Sequence, residues 1–289
     1  MACRPRSRLM HSKIVEFLTL ERLEDNLFRG ESRDLGTPQV YGGQVFSHAI
    51  QAAQATVDRR AVHSAHAYFL RRGDFTAPIL YEVDRNRDGR SFSSRRVVAI
   101  QHGRPIFTLS ASFHEQESGL EFQPPCPLPP AAENYPVFQL ESETDVAVKT
   151  PTSDFAIHLV DPADRTEQEC VQWWFKTRQR LPEDEPTQRA VLAYISDYGL
   201  IAALLQPHGY IPGHQDFLKN MVAASIDHAL WYHRPFRADE WLLYTTSARS
   251  TAGARGLASG AIHDRQGNLV ASSMQEILIR QVNSGPQAS

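Results

Sequence analysis

The stretch AVLAYISDYGLIAALL, Ala190 to Leu205, holds a single charged residue, Asp197, and apolar residues fill every side around it. Burying an ionised carboxylate costs roughly several kcal/mol unless partners satisfy it. A carboxylate kept in such a place can accept a proton from a water, or hold that water as a hydrogen-bond acceptor. Desolvation would raise its pKa and make it a better base, provided it is ionised at the working pH. Asp197 is therefore the first candidate for chemistry.

Other reactive types are less well placed. His63 and His66 lie three apart, with His228 and His233 further on. The run VHSAHAYF reads as a strand, which puts His63 and His66 on opposite faces and argues against a metal site. No G-x-S-x-G occurs, so a nucleophile elbow is absent, and nothing in the sequence advocates a serine triad. Cys3, Cys126 and Cys170 form no CxxC; an odd, sparse count suggests a reducing compartment and no zinc ribbon. Asp227–His228 reads as a structural pair, with orientation of the neighbouring Ser225 as the alternative. Trp173, Trp174, Trp231 and Phe236 read mainly as core.

The chain has 289 residues, 42% hydrophobic and 22% charged, with net charge −3. That is ordinary for a soluble globular protein, with no global attraction to nucleic acid or an acidic membrane. No uninterrupted apolar run reaches the roughly 18 residues of a membrane span. The basic start MACRPRSRLMHSK lacks the apolar region of a secretory signal. It reads as a flexible tail of about a dozen residues, with an organelle transit peptide as the alternative. The final GPQAS is no retention or peroxisomal tripeptide. The expected location is cytoplasmic, or peroxisomal in a eukaryote.

Two elements must position these side chains. VYGGQVFSHAIQAAQATV, Val40 to Val57, carries no charge and is too long for a strand. The second helix begins at PEDEPTQR, where acidic residues and Pro186 make a helix start, carries Asp197, and stops at Pro207 and Gly209. Helices apolar all round are buried. Each is followed by strands and hairpin turns, and the two stretches align. His66 falls on His228 at an offset of 162, Tyr81 on Tyr244 at 163, and Gly89 and Gly103 on Gly253 and Gly267 at 164. The turns RDGRS and QHGRP meet TAGAR and RQGNL. The chain is one unit written twice, a long buried helix and an antiparallel meander. CVQWWFKTRQRL opens the second unit as a strand, and LFRGESRDL the first. Residues 1–125 form the N-terminal domain, 126–168 a proline-rich linker packed in part on the domains, and 169–289 the C-terminal domain. The first helix has no carboxylate, so one competent site per pair is expected, carried by the second half.

The strings FRGESRDLG, VYGGQVFSHAI, HSAHAYFLRRGD, RDGRSFSSRRVVAIQ and SIDHALWYHRPF resemble the acyl-CoA thioesterase II family, from about Leu18 to Arg280. The resemblance implies an α+β double hotdog: two helices, each wrapped by a curved antiparallel sheet, joined edge to edge. It implies hydrolysis of fatty acyl-CoA to fatty acid and coenzyme A by a water, with no covalent acyl-enzyme and no cofactor. It implies a catalytic set of Asp197 in YISDYGL, Ser225 before IDH, and Gln275 in ASSMQE. Ser225 stands where the family commonly has Thr; the hydroxyl is kept, and its rotamer is freer without the β-branch. It also implies assembly into a homo-oligomer, dimer or tetramer, with no stable membrane insertion.

Thioester hydrolysis needs an oriented water, a base and oxyanion stabilisation. A backbone N–H at the N-terminal end of a hotdog helix would serve the oxyanion. Coenzyme A carries several negative charges, and Arg71, Arg72, Arg95, Arg96 and Arg234 are its candidate partners. Gly43 and Gln44, opening the first helix after Gly42, are candidate substrate contacts, or a remnant of a second site, or packing residues. Rival readings are a hotdog acyl-CoA hydratase or dehydratase, and a non-catalytic acyl-CoA binder.

Overall fold

A computed structural model describes residues 12–37, 39–138, 150–167, 169–210 and 221–281. A short helix α1 (Lys13–Leu18) and strands β1 (Glu21–Glu24) and β2 (Leu27–Gly30) precede the first long helix, α2 (Gly42–Gln54). β3 (Ala61–Phe69), β4 (Ile79–Asp88), β5 (Phe92–Gln101) and β6 (Arg104–His114) follow it. The second half runs β7 (Phe155–Leu159), β8 (Cys170–Thr177), α3 (Glu185–Ser196), α4 (Leu200–Leu205), β9 (Met221–Ser225), β10 (Asp227–Tyr232), β11 (Leu242–Ala252), β12 (Arg255–His263) and β13 (Leu269–Gln281).

The strand order is β1-β2-β4-β5-β6-β3-β10-β13-β12-β11-β8-β7, with β9 also on β13. Each half curls its strands round its own helix, and antiparallel pairing of β3 with β10 makes one sheet of the two. This is the double hotdog the motifs imply. The helices are buried because each is covered by sheet on one side and by the other helix on the opposite side, and their few buried polar groups, such as Ser47 and His48, are hydrogen-bonded. The bond from Ser47 Oγ to Ala190 O, 2.7 Å, ties α2 to α3.

All four turns join antiparallel neighbours, as expected, but the members of each pair differ in backbone. His102–Gly103 and Gly253–Ala254 have positive φ, the backbone of a tight two-residue hairpin. Their partners are a turn at Gly89 without positive φ and a longer loop held on Asp264 with Gly267 at φ 81. One alignment needs correction. His228 pairs with Ala67 and is buried, whereas His66 pairs with Ala229 and is exposed. The inward residues Ala65 and Ala67 match His228 and Leu230, so the strand offset here is 163 and the two histidines are not equivalent.

A second correction concerns His63. The register of β3 on β6 shifts between Val62 and Ser64, a bulge that turns His63 onto the outer face. There its Nε2 meets Ser112 Oγ at 2.8 Å, on the same side as His66 against Trp231. Simple alternation predicts opposite faces because it assumes an unbroken ladder.

The first eleven residues, read as a tail, lie outside the described residues. The stretch read as linker does pack: Trp174 Nε1 donates to Pro130 O at 3.0 Å, and Ala132, Tyr135 and Val160 form a small apolar cluster with Trp174, Trp241 and Leu243. β7, also inside 126–168, pairs with β8, so the second sheet begins earlier than its expected boundary.

The second helix is not continuous. Asp184 Oδ1 caps α3 by accepting from Thr187 N–H at 2.9 Å, with Pro186 in the first turn. The helix ends at Ser196 because Gly199 takes φ 87, and α4 restarts beyond it. Counted together, Glu185–His208 is long and apolar enough to cross a membrane, but most of it is buried within this fold.

Candidate active site

Asp197 is the residue immediately after α3, at its C-cap. An anion there faces the negative end of α3's own dipole, so something else must hold it. The opposing support is the N-terminal end of α2. Asp197 Oδ2 accepts the backbone N–H of Gly43 at 2.9 Å, and Oδ1 accepts Gln275 Nε2–H. Tyr41, capping α2, donates its hydroxyl to Tyr194 O at 3.0 Å. The approach requires glycine: a Cβ on Gly43 would lie 2.1 Å from Tyr194 O, and one on Gly42 2.8 Å from Asp197 Oδ2. Burial pushes the carboxyl pKa of Asp197 up, and the bonds from Gln275 and Gly43 pull it partly back.

Gln275 stands on β13, buried, facing the helices. Ser225 ends β9 directly opposite Ile277, two residues along, and so faces the same side as Gln275. The register then shifts between Ser225 and Ala229, a bulge at Ile226 equivalent to the one at His63. Bulges re-aim side chains beside active sites. Ser225 lines a cavity of about 220 Å³ together with Gly42, Val45, Phe69, Arg71 and Arg72. The structure thus joins Asp197 to Gln275 by a bond, and brings Ser225 into the adjoining cavity wall without a bond to either.

The arginines separate. Arg71 and Arg72 line the cavity, and Arg71 Nη1 also donates to Pro105 O at 2.6 Å. Arg234 makes the same tether in the other half, to Leu269 O at 3.0 Å, away from the cavity. Arg95 is a correction: it is 1% exposed, and its N–H groups go to Thr56, Arg87, Ser94 and Asp88. Arg96 alternates with it and points outward from the sheet, off the cavity side. Gln44 is also buried; its Nε2 donates to Glu31 O at 3.2 Å, and its Oε1 has no hydrogen-bond partner among the described residues. Gly43 contacts the carboxylate.

Asp227 and His228 do not pair. Asp227 Oδ1 accepts Glu276 N–H, while His228 Nε2 bonds Ser196 Oγ at 2.9 Å. Ser196 carries no expectation from the sequence, and Tyr244 enters there only as the repeat partner of Tyr81; the Tyr244 hydroxyl donates to Ser196 O at 2.8 Å. The signal for Ser196 was its place beside Asp197 in an apolar stretch; WLLYTTS gave none for Tyr244. Among the described residues no group of three or more His, Cys, Asp or Glu could hold a metal ion.

The equivalent place in the first half lacks this chemistry. Matching the helix starts sets Gln54 against Asp197 and Pro186, which has no N–H, against Gly43. Matching the strands sets Val62 against Ser225 and Ala111 against Gln275. Of the two pseudo-equivalent places, one gathers the carboxylate, the N–H, the hydroxyl and the amide, and the other offers only Gln54.

Two family profiles match the chain: acyl-CoA thioesterase over residues 154–278, and acyl-CoA thioesterase N-terminal domain over 31–114. Acyl-CoA thioesterase 2 of Haemophilus influenzae is 39% identical over 93% of this chain and 97% of its own length. The chain belongs to the acyl-CoA thioesterase family. Human acyl-coenzyme A thioesterase 8 is 34% identical, over 92% of this chain and 88% of its own. The crystal structure of an acyl-CoA thioesterase II from Mycobacterium marinum superposes with a TM-score of 0.79 at 37% identity, covering 93% of this chain and 98% of that one. A protein of unknown function with a hot dog fold from Alicyclobacillus acidocaldarius, 16% identical, aligns at 0.71 over 91% of this chain and 96% of its own, and bears on the fold alone. In this acyl-CoA thioesterase family member the cavity and its carboxylate lie at the junction of the two profiles' regions, Gly42 and Gly43 coming from one and Asp197 and Gln275 from the other.

Proposed function

We propose that this acyl-CoA thioesterase hydrolyses fatty acyl-CoA to free fatty acid and coenzyme A by direct attack of a water oriented by Asp197, Ser225 and Gln275. The observation that carries the reading is the bond between part-buried Asp197 and buried Gln275, beside a cavity with apolar walls and arginines along it. The water sits between Ser225 and the carboxylate. Its oxygen forms a bond to the thioester carbonyl carbon as its proton passes to Asp197. The tetrahedral oxyanion is met by the N-terminal end of α2, whose first residue Gly42 lines the cavity. Collapse breaks the carbon–sulfur bond, and the proton on Asp197 leaves with the coenzyme A thiolate. No acyl-enzyme forms, and Arg72 meets the phosphates.

The test is thiol release across acyl-CoA chain lengths with wild type and Asp197→Ala. Turnover that depends on Asp197 supports the mechanism, and unchanged turnover in the variant removes it. Hydration of an enoyl-CoA without thiol release would favour a hydratase, and binding without either reaction a carrier.

A further inference from the structure

An α-helix leaves its last four carbonyls without intrahelical partners. In α3 each of the four has an assigned donor. Ser196 Oγ–H goes to Ala193 O at 3.0 Å, Tyr41 O–H to Tyr194 O at 3.0 Å, Tyr198 N–H to Ile195 O at 3.0 Å, and Tyr244 O–H to Ser196 O at 2.8 Å. Three of these donors are side-chain hydroxyls, and the two tyrosines come from opposite halves of the chain. Tyr244 is itself held by Ser273 Oγ at 2.6 Å; its one proton goes to Ser196 O, so Ser273 is the donor of that pair. Because the Ser196 hydroxyl proton goes to Ala193 O, His228 must donate from Nε2 to Ser196 Oγ. Asp197 begins at the next peptide.

We propose that Tyr244 and Tyr41 are positioning residues for hydrolysis, pinning the last turn of α3 from two sides so that the Asp197 carboxylate points at Gln275 and the cavity. Neither touches substrate. Their hydroxyls fix the carbonyls of Tyr194 and Ser196, and a fixed peptide before Asp197 fixes the direction of its Cα–Cβ bond. The break at Gly199 removes the helical continuation that would otherwise do this. The proposal rests on the role of Asp197 given above.

The fold supplies its own control. Tyr81 is the counterpart of Tyr244 in the first half, equally buried, with its hydroxyl on His48 Nδ1 at 3.2 Å and no carboxylate beside it. Steady-state kinetics and thermal melts would be measured for Tyr244→Phe, Tyr41→Phe, Tyr81→Phe and Asp197→Ala. Small misplacements of a catalytic group lower rates by up to roughly a hundredfold. The expected result is a roughly ten- to hundredfold fall in kcat for Tyr244→Phe with KM within about twofold of wild type, and a fall in the same direction for Tyr41→Phe. Tyr81→Phe should lower the melting temperature but leave kcat in place. If Tyr244→Phe does not fold, Tyr41→Phe carries the decision alone. Wild-type kcat in the folded variants, or an equal fall in Tyr81→Phe, overturns the proposal while an inactive Asp197→Ala leaves the mechanism standing. An active Asp197→Ala takes down both.

Discussion

Asp197 accepts the backbone N–H of Gly43 across 154 positions of sequence, at 2.9 Å. The contact places the carboxylate between two helix ends of opposite polarity. The C-terminal end of α3 repels the negative charge, and the N-terminal end of α2 attracts it. Neither hotdog alone could hold this group, since the carboxylate and its supporting N–H come from different halves.

Asp197→Asn separates chemistry from architecture. Asn can accept Gly43 N–H through Oδ1 and donate through Nδ2 to Gln275 Oε1 once that amide turns over. The fold should persist while kcat falls by roughly 10²- to 10⁴-fold, as loss of a general base predicts. Circular dichroism and thiol release would check the pair of outcomes.

The same carboxyl sets a pH dependence. Its folded pKa is raised above 3.8, first by burial. Its contribution to stability is therefore fully present below 3.8 and is lost as pH rises through the higher folded value. Asp197→Asn should melt above wild type at neutral pH, and the gain should vanish in strong acid. The acid limb of kcat should likewise be displaced upward from that of an ordinary aspartate.

Gly43→Ala tests the helix contact. The new methyl would meet Tyr194 O and the Tyr41 ring, so α2 and α3 must part. We expect a loss of about 1–3 kcal/mol in denaturant unfolding, with lower kcat as the N–H withdraws from Oδ2. Gly119→Ala, whose Cβ meets nothing within 4 Å, should change neither.

Two arginines should split binding from stability. Arg95→Leu leaves Thr56 O and Arg87 O without their buried donor and should lower stability by more than about 2 kcal/mol at unchanged KM. Arg72→Gln should raise KM several-fold, an effect that fades with added salt, and leave the melting temperature unchanged.

Ser225→Thr should retain or raise kcat, and Ser225→Ala should lower it. A large loss in the Thr variant would place the hydroxyl on a rotamer that the β-branch forbids.

The repeat, the two buried helices and the oddity of Asp197 are local in their physics: apolar periodicity, turn residues and the energetic penalty of a buried charge all act over a few neighbours. They were legible in the sequence, and motif strings extended that reading to Ser225 and Gln275. Arg95 was not, because a string cannot distinguish a guanidinium folded under a hairpin from one at a cavity mouth. Nor were the bulges at His63 and Ile226, which shift a face by one residue without changing composition. The Gly43 bond and the two tyrosine hydroxyls on α3 depend on how one helix end meets another across the joined sheet. Sequence determined that a carboxylate would need partners; the docking of the two halves decided which groups reach it, because hydrogen bonds act only over about 3 Å and residues this far apart in sequence come that close only once the chain has folded.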